Sequence, residues 1–302
     1  MIDLWIPITL AAAFCQNLRM ALQKYLKGRL STGGATYVRY LYSAPFSIAY
    51  VFALHHWAGM AWPEPNLVFY AYAVAGSISQ IIFTALLIWL FSFRNFAVGT
   101  TFSKTEMVQI PILGFIFLGD TLSLTAVFAI AVSTAGVVAL SVAQTKVTFG
   151  NLLASLTEKA TVIGMVCGLF LGGSVVFFRG AVLALEHDTF MMAAAYALAT
   201  AVTFQTIVMG IYLKWREPGQ WIAVTRAWRP ASLVGIAGTL TSVGWFTAFA
   251  LQNAAYVRAV GQVELVFTFI ASIVFFKERT NRLELLGVLL VVAGILMIIL
   301  GR

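Results

Sequence analysis

Residues 96–140 read FAVGTTFSKTEMVQIPILGFIFLGDTLSLTAVFAIAVSTAGVVAL. Two apolar runs, 97–117 and 123–143, are joined by the turn Leu118-Gly119-Asp120-Thr121-Leu122. Each run has about the 20 residues that an α-helix needs to cross a hydrocarbon core. Neither alternates strictly, so a membrane-barrel strand does not fit. One acid, Glu106, stands in the middle of the first run. An ionisable group at that depth costs about 2.5–3.5 kcal/mol on insertion scales, so it faces a cavity or a partner.

The rest of the chain repeats this pattern. Ten apolar runs can be read at 3–23, 35–55, 68–92, 97–117, 123–143, 161–183, 190–213, 231–251, 255–275 and 282–300. Hydrophobic residues make up 61% of the 302, and charged residues 10%. A soluble domain carries about 25% charged residues. The composition excludes a soluble enzyme and a disordered chain alike. The longest links, 56–67, 144–160 and 214–230, are too short for an extramembrane domain. The opening MIDLWIPITL lacks a basic n-region and reads as a first span, not a signal peptide. Cys15 and Cys167 lie inside apolar runs, which argues for no disulfide and no metal site. Enzyme signatures such as a phosphate loop or H-E-x-x-H are missing, and the glycines of 168–174 sit in an apolar helix, where they read as tight packing. The net charge of +8 comes from basic residues in short links, so it speaks of membrane orientation and not of nucleic acid.

An offset of 158 residues lays the chain's second half on its first. Glu106 then meets Glu264, and Ala135-Gly136 meets Ala293-Gly294. Asn95 meets Asn253, Phe91 meets Phe249, and FLGD at 117–120 falls on FFKE at 275–278. The glutamates weigh most, because the chain has only 11 acidic residues. Two five-span repeats follow, at 1–145 and 159–302. Loop charge gives their orientation. Lys24, Lys27 and Arg29 follow the first span, Arg94 the third, and Lys146 and Lys159 the fifth. Lys214, Arg216, Arg226 and Arg229 follow the seventh, and Lys277, Arg279 and Arg282 the ninth. The even-numbered links carry no Lys or Arg, apart from Arg258 just inside the ninth run. The positive-inside rule places the odd links in the cytoplasm and both termini outside. Equivalent links of the two halves thus carry opposite charge bias. The expected fold is an all-α polytopic membrane protein whose ten transmembrane helices form a 5+5 inverted-topology repeat, a plan of secondary transporters.

The stretch 96–140 resembles the repeat of the drug/metabolite transporter superfamily, EamA type. Pro111, Leu118-Gly119-Asp120-Thr121-Leu122 and Ala135-Gly136 carry the resemblance. In the second half Lys277-Glu278-Arg279, Leu285-Leu286-Gly287 and Ala293-Gly294 carry it, while Phe269 stands where the proline would be. Arg39 resembles a recurrent basic position of the family. The resemblance implies a central cavity lined by the third, fourth, eighth and ninth spans. It also implies transport of small metabolites or drugs without ATP hydrolysis, in a direction it does not fix.

The candidate substrate-binding or proton-coupling residues are Glu106, Glu264, Ser103, Gln109, Arg39, Arg19 and Trp245. Gly99, Ser103, Gln109 and Leu113 share the helical face of Glu106. Val257, Gly261, Thr268 and Ala271 share that of Glu264. Each glutamate could carry a proton or stay a fixed anion beside a cation. Both readings stay open, as does a purely structural ion pair. Lys104 points away from Glu106, and Arg258 reads as a snorkelling end residue. Arg19, Arg39 and Arg179 could attract an anionic group or anchor the bundle. Trp245 could stack on a substrate or pack in the core. Trp57, Trp62, Trp215, Trp221 and Trp228 read as interface anchors. His55-His56 is a weak metal signal.

The expected activity is alternating-access transport of a small organic molecule, amino-acid-like by the excess of intramembrane cations. An uncoupled facilitator or exchanger and an intramembrane lipid-handling enzyme are the alternatives. No cofactor is expected. The expected partners are a small-molecule substrate and the bilayer, with no nucleic acid, in a monomer or homodimer. The expected location is the cell membrane, the inner one in a bacterium.

Overall fold

The computed structural model describes residues 3–26, 30–90, 93, 96–143, 158–274 and 281–301. Thirteen helices run through them. They are α1 (Trp5–Leu26), α2 (Thr32–Ala58), α3 (Leu67–Leu90), α4 (Phe96–Ser103), α5 (Glu106–Leu118), α6 (Leu124–Ala143) and α7 (Lys159–Ala184). After them come α8 (Phe190–Arg216), α9 (Pro218–Arg226), α10 (Trp228–Leu251), α11 (Ala254–Gly261), α12 (Val263–Val274) and α13 (Arg282–Leu300). Six helices, α3, α6, α7, α8, α10 and α13, are each long and apolar enough to cross a bilayer. The chain is a multi-pass membrane protein. Asn95, Phe91, residues 275–278, Lys27, Arg29, Arg94, Lys146 and Arg279 lie outside the described residues.

Two of the expected spans are not single helices. The run 97–117 is divided between α4 and α5, and the run 255–275 between α11 and α12. At the first junction the N–H groups of Lys104 and Thr105 reach back to Thr101 and Phe102, both at 3.1 Å. That is the three-residue spacing of a 3₁₀ turn. The Thr105 hydroxyl also donates to the Phe102 carbonyl at 2.7 Å, competing with the helical ladder. At the second junction the Gln262 N–H bonds to Ala259 at 3.3 Å, and Leu265 to Gln262 at 2.9 Å. Thr105 (φ −61°, ψ −10°) and Gln262 (φ −62°, ψ −8°) hold nearly the same conformation. Hydropathy counts side chains and does not register a change in hydrogen-bond spacing, so both runs look continuous in sequence. The bounds of α4 and α11 differ by the same 158 residues that relate Glu106 to Glu264.

A further departure lies in the link 214–230, which contains helix α9. Pro218 opens it, at a position where a missing N–H costs nothing.

The helices gather into two compact units, Met1–Ile78 with Phe177–Gln252, and Ser79–Val176 with Asn253–Arg302. Each unit takes residues from both halves of the chain, and α3 and α7 contribute to both units. In the first unit, α1 lies along α10, and α2 packs on α8 and α10. Its core includes Phe69, Ala73, Phe178, Ala197, Leu198 and Phe246. In the second unit α6 lies along α13. Here the Ala-Gly motifs find their reason. A side chain at Gly136 would come within 2.7 Å of the Gly287 carbonyl, and one at Gly294 within 2.8 Å of the Ala129 carbonyl. Only glycine lets these backbones approach so closely. The Leu-Gly-Asp turn is equally specific. Gly119 adopts φ 67°, and its N–H bonds to the Phe115 carbonyl at 3.1 Å, closing α5. At the start of α13 the Asn281 side chain accepts from Glu284 N–H at 2.8 Å, and Glu284 accepts from Asn281 N–H at 3.0 Å, a capping box.

Candidate functional site

Glu106 is the first residue of α5, directly after the first break. Its position at a helix N-terminus favours a carboxylate, since the peptide dipoles point their positive ends there. The side chain is 1% exposed. Its Oε1 accepts a hydrogen bond from Arg258 Nη2 at 2.7 Å. Its Oε2 is buried with no donor among the described residues.

Arg258 comes from α11, one turn before the second break, and is itself buried. This corrects the reading of Arg258 as a snorkelling end residue. Its place near the start of an apolar run suggested an interface. The break at Gln262 and the partner 152 residues away put the guanidinium inside the unit instead. Two buried charges are tolerated because each neutralises the other.

Glu264, which stands 158 residues after Glu106, follows the second break as the second residue of α12. It is only half-buried and lies within electrostatic reach of Arg258. Between Arg258 and Glu264 sits Gln262, 1% exposed. Its Nε2 donates to the Arg258 carbonyl at 3.4 Å, and its Oε1 is a buried acceptor with no donor among the described residues. Sequence reading missed Gln262. The break that places it leaves no mark in apolar composition, although Gln262 stands at the offset position of Lys104 in the first junction.

Helix α7 lines the first broken helix with glycines at four-residue spacing. A side chain at Gly164 would collide with the Gly99 carbonyl, ahead of the break. One at Gly168 would lie 2.7 Å from the Ser103 carbonyl and 3.1 Å from Gln109 Oε1, at the break. One at Gly172 would lie 3.1 Å from Ile110, beyond it. Ser103 is buried at the end of α4. Gln109 donates through Nε2 to Thr105 Oγ1 and to the Met165 carbonyl, both at 3.2 Å. Its Oε1 is another buried acceptor with no donor among the described residues. Glu106, Glu264, Ser103 and Gln109 all belong to the second unit.

The other candidates belong to the first unit. Trp245 is buried, donates through Nε1 to Gln16 Oε1 at 2.9 Å, and stacks on Phe249. Its polar edge is thus engaged in packing α10 onto α1. Arg19 is buried beside Gly238 of α10. Arg39 is half-buried, its guanidinium 5.5 Å from the centre of the Tyr40 ring. Arg179 donates to the Phe249 and Gln252 carbonyls, each at 2.5 Å, where it caps the C-terminus of α10. Trp221, read as an interface anchor, is half-buried and stacks on Tyr37 at 5.5 Å. Trp57 and Trp215 are exposed, as interface residues are.

Long apolar helices, two breaks and a buried ion pair define a polytopic membrane protein with discontinuous helices, the class in which solute transporters are common. Residues 159–300 match the model of the EamA-like transporter family. The match covers a little under half of the chain, and the family is described as one of transporters. No curated protein matches the chain. A crystal structure, described only as that of a protein, matches with a TM-score of 0.70 over 100% of this chain and 98% of its own. Identity is 14%, so that likeness is one of fold.

Proposed function

We propose that the chain is a secondary transporter that moves a small organic solute by alternating access. Its ten spans would form two inverted five-helix repeats, 1–145 and 159–302, with both termini on the outer face. The observation that carries the reading is the buried Glu106–Arg258 pair at two helix junctions of like conformation. Discontinuous helices place polar backbone and charge at mid-membrane, where transporters hold their solutes.

The chemistry around the pair favours an amino-acid-like solute. Glu106 Oε2, Gln109 Oε1 and Gln262 Oε1 are acceptors suited to an ammonium group. Arg258 is suited to a carboxylate. Such a solute would exchange partners with the internal ion pair and leave no charge uncompensated. Glu264, half-buried in the first turn of α12, is proposed as the carboxylate for proton exchange. Ser103 supports the junction. Arg39, Arg19 and Trp245 are proposed to act outside it, as packing and anchoring groups.

Proteoliposome uptake tests this reading. Amino acids, polyamines, nucleosides and organic acids would be offered to wild type, Glu106→Gln and Arg258→Gln. An amino acid whose uptake is lost in both variants supports the proposal. Uptake unchanged in both assigns the pair to scaffolding and sinks it. An imposed pH gradient then separates the two coupling modes. Accumulation in wild type but not in Glu264→Gln supports proton coupling, and gradient-independent exchange supports the uncoupled alternative.

A further inference from the structure

Helix α9 and its two flanks form a basic, aromatic surface in the first unit. The segment 214–229 holds Lys214, Arg216, Arg226 and Arg229, all exposed, and a single acid, Glu217. That acid is taken up locally, since Ser31 Oγ donates to its Oε2 at 2.5 Å. The chain carries a Trp-Arg pair on each side of α9. Arg216 lies 4.9 Å from the ring centre of Trp215, and Arg229 lies 5.4 Å from that of Trp228. Trp215 is 77% exposed and Trp228 is 56% exposed, with Ile222 of α9 exposed between them.

The partner is decided by what α9 connects. Both α8 and α10 are long and apolar enough to cross a bilayer. The nine residues of α9 therefore lie where two spans leave the membrane, at headgroup depth. Tryptophan prefers that depth, and clustered Lys and Arg there attract anionic lipid. The inner face of α9 is already committed, because Gln220 Oε1 accepts from Ser31 N–H at 2.8 Å, and the Val224 carbonyl accepts from the Tyr42 hydroxyl at 3.1 Å. Only its outer side is left for a partner.

We infer that the segment 214–229 is a binding surface for anionic phospholipid, with Lys214, Arg216, Arg226 and Arg229 on the phosphate headgroups and Trp215 and Trp228 at the acyl boundary. The same surface would tie the α8–α10 corner to the membrane. The inference is independent of which solute the chain moves.

The test uses the full-length protein in nanodiscs of phosphatidylcholine, alone or mixed with phosphatidylglycerol. Lipid retained after delipidation is counted by mass spectrometry, and tryptophan quenching by brominated phosphatidylglycerol is compared with that by brominated phosphatidylcholine. Wild type should retain phosphatidylglycerol selectively, and the selectivity should shrink in high salt. Each cation replaced by Gln should weaken retention about fivefold. The pair Arg226→Lys with Arg229→Lys should keep most of it, which separates lost charge from a disturbed helix. Equal retention of both lipids by wild type overturns the inference. So does undiminished selectivity when all four cations are Gln. Inorganic phosphate that displaces the bound phosphatidylglycerol in full would assign the surface to a free anion and overturn the lipid reading.

Discussion

The two broken helices share a plan and differ in charge. Helices α4 and α11 have eight residues each and end in the same way, and each is followed by a glutamate in the first turn of the next helix. Glu106 is sealed inside the unit on an arginine, whereas Glu264 is half-buried. One residue of the pair differs between the two regions. Arg258 lies in α11, and at the offset of 158 the first half has Thr100. Arg258 therefore has no counterpart at the offset position, and it bonds to Glu106, 152 residues away.

The largest expected effect comes from removing the sealed acid. Glu106→Ala leaves Arg258 buried without its carboxylate and should cost about 3–5 kcal/mol in denaturant unfolding in detergent. The double replacement Glu106→Leu with Arg258→Met should recover most of that loss while abolishing transport. If Glu106→Ala and Glu264→Ala prove equally costly, the contrast between the two acids is gone.

The packing of the first junction comes next. Gly168→Ala puts a methyl 2.7 Å from the Ser103 carbonyl and should destabilise by about 1–3 kcal/mol. Because the strain falls on the break, transport should drop more than stability alone explains. A full-activity Gly168→Ala would mean that the junction does not move.

Trp245→Phe serves as a reference outside both junctions. It removes the donor to Gln16 and should cost about 1 kcal/mol, with solute affinity unchanged. A large loss of affinity would return Trp245 to the solute site. The smallest stability effect is expected at Glu264→Gln, below about 1 kcal/mol, since a half-buried acid is still partly solvated. Its transport defect, set against its small stability cost, would show whether this second acid has a functional task.

Much of this was legible in the residues. The offset that aligns the two glutamates also predicts the bounds of α11 from those of α4. The glycines of the Leu-Gly-Asp turn and of the Ala-Gly pairs sit where a positive φ or a close backbone contact requires them. Other features were not legible. A hydropathy window passes over Thr105 and Gln262 because neither changes the apolar composition, although both sit where the backbone switches hydrogen-bond spacing. For Trp245 and Arg179 the sequence left both a ligand role and a packing or anchoring role open, because both carry polar groups inside apolar runs. Their partners, Gln16 and the end of α10, lie far away in the chain.

By itself the sequence determined the membrane class, the long apolar helices and the 158-residue offset between the two acids, because apolar length and spacing are properties of the chain read in order. Tertiary structure alone decided that Glu106 is buried on Arg258. That outcome depends on Arg258 reaching Glu106 across 152 residues, and in a medium that cannot solvate a lone charge, the packing that brings those two groups together sets the role of each.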